Sequence, residues 1–307
     1  MNKPTFKDVV GIQWPIAIMA MNRVSDVKLA VAGAQAGILP SLSIFNYYVG
    51  PATVDVQRAR AAIDEFKTLS NNAPILLSIS VDTLINDQSF ELLLDTRVKV
   101  IELVLDSPAE NTITEERNAL RDSRIAQLRS LNVIVLQKAL NVADIEEVDM
   151  DGFILKGPGG AGRVVEDGDN LIDRIKQCRA LYPNKYIIAN GGVGTPAQLK
   201  ECLDAGADAV GLGTIFAAAE ECAISTETKL KMVEATATDI KKLNRGAQQQ
   251  ALVFKELTKD VYNNTRGLAE GIRNPESGHV FAGSGIDSIT AIKPVKQIVE
   301  ELTKDIV

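Results

Sequence analysis

Between residues 15 and 218, short apolar runs alternate eight times with longer stretches of mixed polarity. The runs are Pro15–Met21, Gly37–Ser43, Pro74–Ser80, Val98–Leu105, Val133–Lys138, Gly152–Lys156, Tyr186–Ala189 and Ala207–Leu212. They are nearly continuous in apolar residues, the pattern of strands buried on both faces. The stretches between them read as helices. Ser25-Asp26 starts one through Ala34, and others cover Thr53–Leu69, Thr83–Leu94, Glu115–Leu131 and Asn170–Leu181, with a short one from Asn141 to Glu147. Eight strand–helix alternations predict an α/β fold, a parallel TIM (β/α)8 barrel. Pro40 is an objection to the second strand, since proline is disfavoured inside a sheet. Trp14 is expected to cover the bottom of the barrel.

After residue 220 the pattern changes. Lys229–Asn244 and Ala247–Tyr262 read as helices with Leu, Val and Phe on one face, and Ser288–Lys304 as a last helix. The expected organisation is a barrel over residues 1–222 and a C-terminal helical extension over 223–307. The extension is expected to pack on the barrel rim or to form a subunit contact, as in a homodimer.

The stretch Lys185–Ala218 carries the strongest chemical signal. A buried strand ends in Asn190-Gly191-Gly192, where the backbone must turn tightly and no side chain blocks a ligand. Thr195-Pro196 then opens a helix with a hydroxyl N-cap and proline at the first helical position, and Gly206 ends it. The next strand ends in Gly213-Thr214, which opens another helix. Two adjacent parallel strands thus present free N–H groups and a helix N-terminus at one edge, a phosphate site of the kind found after strands 7 and 8 of such barrels. Tight turns alone are the alternative reading. Gly159-Gly160, after the sixth strand, is a second glycine turn where a ligand can approach the backbone.

Composition narrows the partners. The net charge is −7 with a pI near 5.0, which argues against nucleic acid. Cys178, Cys202 and Cys222 are odd in number and far apart, with no CxxC or CxxH spacing. Reduced structural thiols in a cytoplasmic protein, without a metal site, are expected. No run approaches the roughly 18–20 apolar residues of a membrane span, and the N-terminus lacks the apolar core of a secretory leader.

Four stretches resemble the nitronate monooxygenase (2-nitropropane dioxygenase-like) family, which includes flavin-dependent enoyl-ACP reductases. They are Pro15–Asp26, with Ala20, Met21 and Val24; Gln35–Leu39, standing where the family has an AGGLG-like turn; Gly157–Gly162; and Lys185–Ala218. The resemblance covers roughly residues 12–222, with an echo at AGSGIDSITAIKPVKQIVEEL. It implies an FMN-binding barrel that oxidises alkyl nitronates or a related small organic substrate, with NAD(P)H as an alternative electron donor. It also implies flavin contacts at Ala20, Met21, Asn22, Ser78, Gly159, Gly160, Asn190, Gly191, Gly192, Gly213 and Thr214. Lys156 and Lys138 are expected to oppose negative charge on the reduced flavin.

The chain departs from the family at three positions. Ala161 stands where the family carries a histidine, Ser78 where it has an asparagine, and Lys156 where it has Gln or Glu. The sole histidine, His279, is expected either at the surface or as a base reaching the site from the extension. Without a histidine at 161, preference for anionic nitronates over neutral nitroalkanes is expected. Ser41, Tyr47 and Tyr48 are weaker candidates for the pocket. Two alternatives remain: a flavin-free isomerase or aldolase acting on a phosphorylated metabolite through Lys138 or Lys156, and a non-catalytic flavin-binding module.

Overall fold

The computed structural model describes residues 4–50, 53–94, 98–105, 114–145, 149–165, 168–244, 248–253, 268, 271–274 and 278–306. Eight parallel strands form the barrel: β1 (Ile16–Ile18), β2 (Ser41–Ser43), β3 (Ile75–Ser80), β4 (Val98–Val104), β5 (Ile134–Ala139), β6 (Gly152–Lys156), β7 (Tyr186–Asn190) and β8 (Ala209–Leu212). From β2 to β8 each strand pairs with its sequence neighbours, and β8 pairs with β1. The ring closes between β1 and the lead-in to β2. There Ala17 bridges Leu39, with Ile18 donating to Leu39 O and Leu39 donating to Ile16 O. Pro40 sits just after this bridge and costs no ladder bond. Its carbonyl still accepts from Leu76 N. The proline shortens the second strand to Ser41–Ser43 without breaking the barrel.

The strands are buried on both faces, as their apolar runs require. Ala17, Leu39, Leu76, Val100, Leu136, Ile154, Ile188 and Ala209 form one inner cluster. The alternate residues Leu77, Ile79, Ile101, Leu103 and Val135 face the helices. Phe6 and Val10, from the short helix Phe6–Val10, complete the inner cluster, and Phe6 stacks edge-on against Tyr186 at 5.3 Å. They close the bottom of the barrel, the role expected of Trp14. Trp14 packs at the margin of a different cluster.

The helices begin where their cap residues stand. Asp26, Asp55, Thr114, Asn170 and Thr195 each accept a backbone N–H two or three residues into the helix that follows. The stretch expected as one helix over Thr83–Leu94 is two, Val81–Ile85 and Asp87–Leu93, because Asn86 adopts an extended backbone and caps the second.

The extension is only partly helical. Thr226–Glu234 and Val295–Thr303 are helices, but Ile240–Asn244 and Gln248–Val253 are antiparallel strands. The rest of the second expected helix, 254–262, lies outside the described residues. Gln248–Val253 also pairs with His279–Val280 and with Gly162–Arg163, which follows β6. The apolar spacing was compatible with helix. Strand pairing with Gly162–Arg163, far back in the chain, decides otherwise, a tertiary override that local patterning cannot register. Extension residues Leu252, Leu268, Val280, Ile286 and Val295 share one apolar cluster with Ile16, Val210 and Leu212 of the barrel.

Candidate active site at the barrel mouth

One step above the apolar inner cluster, the inward positions turn polar. Leu76 is followed by Ser78, Val100 by Glu102, Leu136 by Lys138, Ile154 by Lys156 and Ile188 by Asn190. Strand alternation places each pair on the same face. The barrel register then sets Ser78 opposite Glu102, and Lys156 opposite Asn190. Above this layer a cavity of about 340 Å³ opens, within the range of small-molecule sites.

The charges in this layer are divided unequally. Glu102 is fully buried and pairs with Lys138 through Oε1, while its Oε2 has no hydrogen-bond partner among the described residues. Lys156 is 7% exposed and donates to the carbonyl oxygen of Ala161. Burial pushes its amine down to about 7; the charges of Lys138 and Arg163 push the same way, and Glu102 opposes them. The buried Arg174, on the helix Leu171–Leu181, donates to the backbone carbonyls of Leu140, Lys156 and Val165, and so ties together the ends of β5 and β6.

The glycine turns form the opposite wall. Gly191 and Gly192 have φ of +107° and +84°, which L side chains rarely adopt. A Cβ on Gly191 would lie 2.9 Å from Gly160 Cα, so this turn and the Gly157–Gly160 turn are in direct backbone contact. Gly157 N donates to Asn190 O at 2.7 Å across the same gap. Gly213 leads into the short helix Thr214–Ala217.

The extension holds both turns. Ser284 N donates to Gly159 O at 2.9 Å, Gln250 Nε2 to Pro158 O at 2.6 Å, and Gly283 N to Thr214 Oγ1 at 3.1 Å. Leu268, Val280, Phe281 and Gly285 complete the lining.

Of the residues singled out in the sequence, Ala20, Met21, Asn22, Ser78, Lys138, Lys156, Asn190, Gly191, Gly192, Gly213, Thr214 and Ala161 line this one cavity. Gly159 and Gly160 lie behind it, against Gly192 and Gly191. Ser41 is buried but does not line it. Tyr47 and Tyr48 are also off the lining; Tyr48 OH bonds Ser80 and Thr83, and Phe45 stands in the wall instead. His279 is neither at the surface nor in the lining. It is fully buried, in a strand paired with Val253, with its ring 5.5 Å from that of Phe281. Glu102 was missed, although an acidic residue inside the run Val98–Leu105 was its signal. Among the described residues, no group of three or more His, Cys, Asp or Glu side chains converges as a metal site requires, and no helix is long and apolar enough to cross a membrane.

A closed parallel barrel with a polar mouth and paired glycine turns defines the class as a (β/α)8 barrel protein with a candidate site at its mouth. The chain belongs to the nitronate monooxygenase family, whose sequence profile matches residues 3–305. A Bacillus subtilis protein named "Probable nitronate monooxygenase" is 24% identical over 278 residues, covering 79% of this chain and 76% of the relative. A Malacoplasma penetrans protein named "Putative N-acetylmannosamine-6-phosphate 2-epimerase" is 25% identical over 171 residues, covering 52% and 72%. The solved structure of FabK from Thermotoga maritima superimposes with a TM-score of 0.79 at 21% identity, covering 99% of this chain and 96% of that one. The last likeness bears on the fold alone.

Proposed function

We propose that this chain is an FMN-dependent oxidoreductase that oxidises alkyl nitronates or closely related small anions. The observation that carries the reading is that the two glycine turns after β7 and β8 open into the same cavity as Lys138 and Lys156. The residues present fit FMN. Gly191, Gly192, Gly213 and Thr214 bring backbone N–H groups to one end, where a phosphate needs them. Met19, Met21, Val24, Leu212 and Phe281 offer apolar surface for a ring. When bound, FMN supplies the ring that accepts an electron pair from the substrate. The protein's own part is to hold and orient. Lys138, ion-paired to Glu102, sets positive charge near an anionic substrate. The extension roofs the cavity through Val280 and Phe281. Three buried free thiols suit a reducing, cytoplasmic setting.

The purified protein should be yellow and should be bleached anaerobically by a preformed nitronate. Bleaching by NADH or NADPH alone would make the nicotinamide the electron donor. A colourless protein that does not take up FMN would overturn the reading. The similarity to an epimerase supports a second reading, in which a phosphorylated carbonyl compound fills the same cavity and a lysine forms an imine. Borohydride reduction in the presence of such a compound, followed by mass mapping of Lys138 and Lys156, separates the two. FMN binding without reduction by any of these donors would leave a binding module.

A further inference from the structure

We propose that Lys156 is a general base that removes the α-proton of neutral nitroalkanes, extending the substrate class of this chain from nitronates to their conjugate acids. The inference rests on the functional reading above and assigns a proton-transfer step that the alanine at position 161 would otherwise leave without a base.

Lys156 ends β6 with its side chain facing the cavity, and its Nζ donates to the carbonyl of Ala161, the residue standing on the Gly159-Gly160 turn. A neutral amine that donates one N–H to that carbonyl keeps its lone pair for an incoming proton. The surrounding charges favour that state. The buried carboxylate on β4, Glu102, is already bonded to Lys138 on β5. Arg163, in the short strand after β6, adds a second positive charge, and Arg174 is turned to the Lys156 backbone carbonyl. Two lysines in one mouth thus have different environments: Lys138 shares an ion pair, and Lys156 is held by a neutral carbonyl. Such divergence marks groups suited to different roles in proton transfer. The Lys156 amine, at about 7, is suited to a general base near neutral pH.

In the step, the α C–H bond breaks and its electron pair moves into the nitro group. The proton forms a new N–H bond on Lys156, giving an ammonium and a nitronate. No oxidant is consumed.

The test is hydrogen exchange. Nitroethane is incubated anaerobically in D2O with the FMN-loaded protein, and loss of the α-CH2 signal is followed by proton NMR after subtraction of the buffer rate. Oxidation stops after one turnover under these conditions, so exchange is read alone. The wild-type rate is expected to rise with pH through about 7 and then level. It should fall on the order of 10²–10⁴-fold in Lys156→Ala and recover in part when ethylamine is added. A wild-type rate that is flat between about pH 6 and 8, or exchange unchanged in Lys156→Ala, would overturn the proposal without recourse to any other variant. Oxidation of ethyl nitronate without α-exchange refutes this proposal alone. Failure to oxidise ethyl nitronate refutes the functional reading and this proposal with it.

Discussion

Glu102 and Lys138 face each other across β4 and β5 at the mouth of the barrel, and the carboxylate of this pair is fully buried. A buried ion pair is a weak source of stability, but breaking one partner leaves an uncompensated charge. Glu102→Gln is therefore expected to lower stability by roughly 3 kcal/mol, whereas the double variant Glu102→Leu/Lys138→Met should recover most of it. Urea unfolding of Glu102→Leu, Lys138→Met and the double variant forms a cycle that measures the coupling. A Glu102→Gln protein as stable as wild type would show that the pair carries little of the local structure.

The glycine wall has a different sensitivity. Gly191→Ala forces a side chain onto a backbone at φ +107° and brings its Cβ to 2.9 Å from Gly160 Cα. A loss of roughly 1–3 kcal/mol is expected from this strain. Because both turns would shift, FMN affinity should fall at least about tenfold, equivalent to about 1.4 kcal/mol. Flavin fluorescence quenching measures the second effect apart from the first. Gly168→Ala is the comparison, since its backbone is also left-handed but its Cβ would meet nothing within 4 Å. It should lose stability and keep FMN affinity.

The extension is expected to act as part of the site. Gly283 packs so closely that a Cβ would lie 2.2 Å from Gly159 O, and its N–H reaches Thr214 Oγ1. Gly283→Val should therefore push the extension off both turns and weaken FMN binding while leaving most barrel secondary structure. Truncation after residue 222 should be more severe. It strips apolar partners from Ile16, Val210 and Leu212, which share one cluster with Val295 and Ile298. A truncated protein that is soluble, cooperatively folded and fully active would refute the view that residues 223–307 are needed by the barrel.

Much of this arrangement was legible in the chain. Gly152–Lys156 is a strand with the bounds its apolar run gave, and Asn170 and Thr195 cap the helices they were expected to open. Glycine turns and caps are read locally because their cause is local: a dihedral or a side-chain oxygen within three residues. Glu102 was legible only as an acidic residue inside a buried run, and its role did not follow from that. Its meaning depends on which face of β4 points inward and on what β5 sets opposite, and both follow from register. The strands at Ile240–Asn244 and Gln248–Val253 were missed for the same kind of reason, since their partner Gly162–Arg163 belongs to the barrel. His279 was misjudged because a histidine among Gly and Ser reads as exposed, whereas the sheet of the extension buries it.

Lys156 should make the stability of the protein depend on pH. The Lys156 amine is held at about 7 in the folded protein and at its ordinary value of 10.5 in the unfolded chain. Between those values the unfolded chain binds a proton that the folded protein has released. Stability must then rise with pH across this window, with a slope approaching about 1.4 kcal/mol per pH unit from this residue alone. The penalty is fully present below pH 7, where the unfolded and folded forms are both charged and only the folded one is desolvated. It fades as pH approaches the unfolded value. Lys156→Met removes the titrating group and should remove this part of the slope, so the difference in unfolding free energy between the two proteins should shift in favour of the wild type as pH rises. Urea unfolding of the FMN-free proteins at intervals from pH 6.5 to about pH 9.5 reads the effect directly. Parallel curves for wild type and Lys156→Met would mean that Lys156 keeps its proton on folding, and would remove the basis for a neutral amine at the barrel mouth.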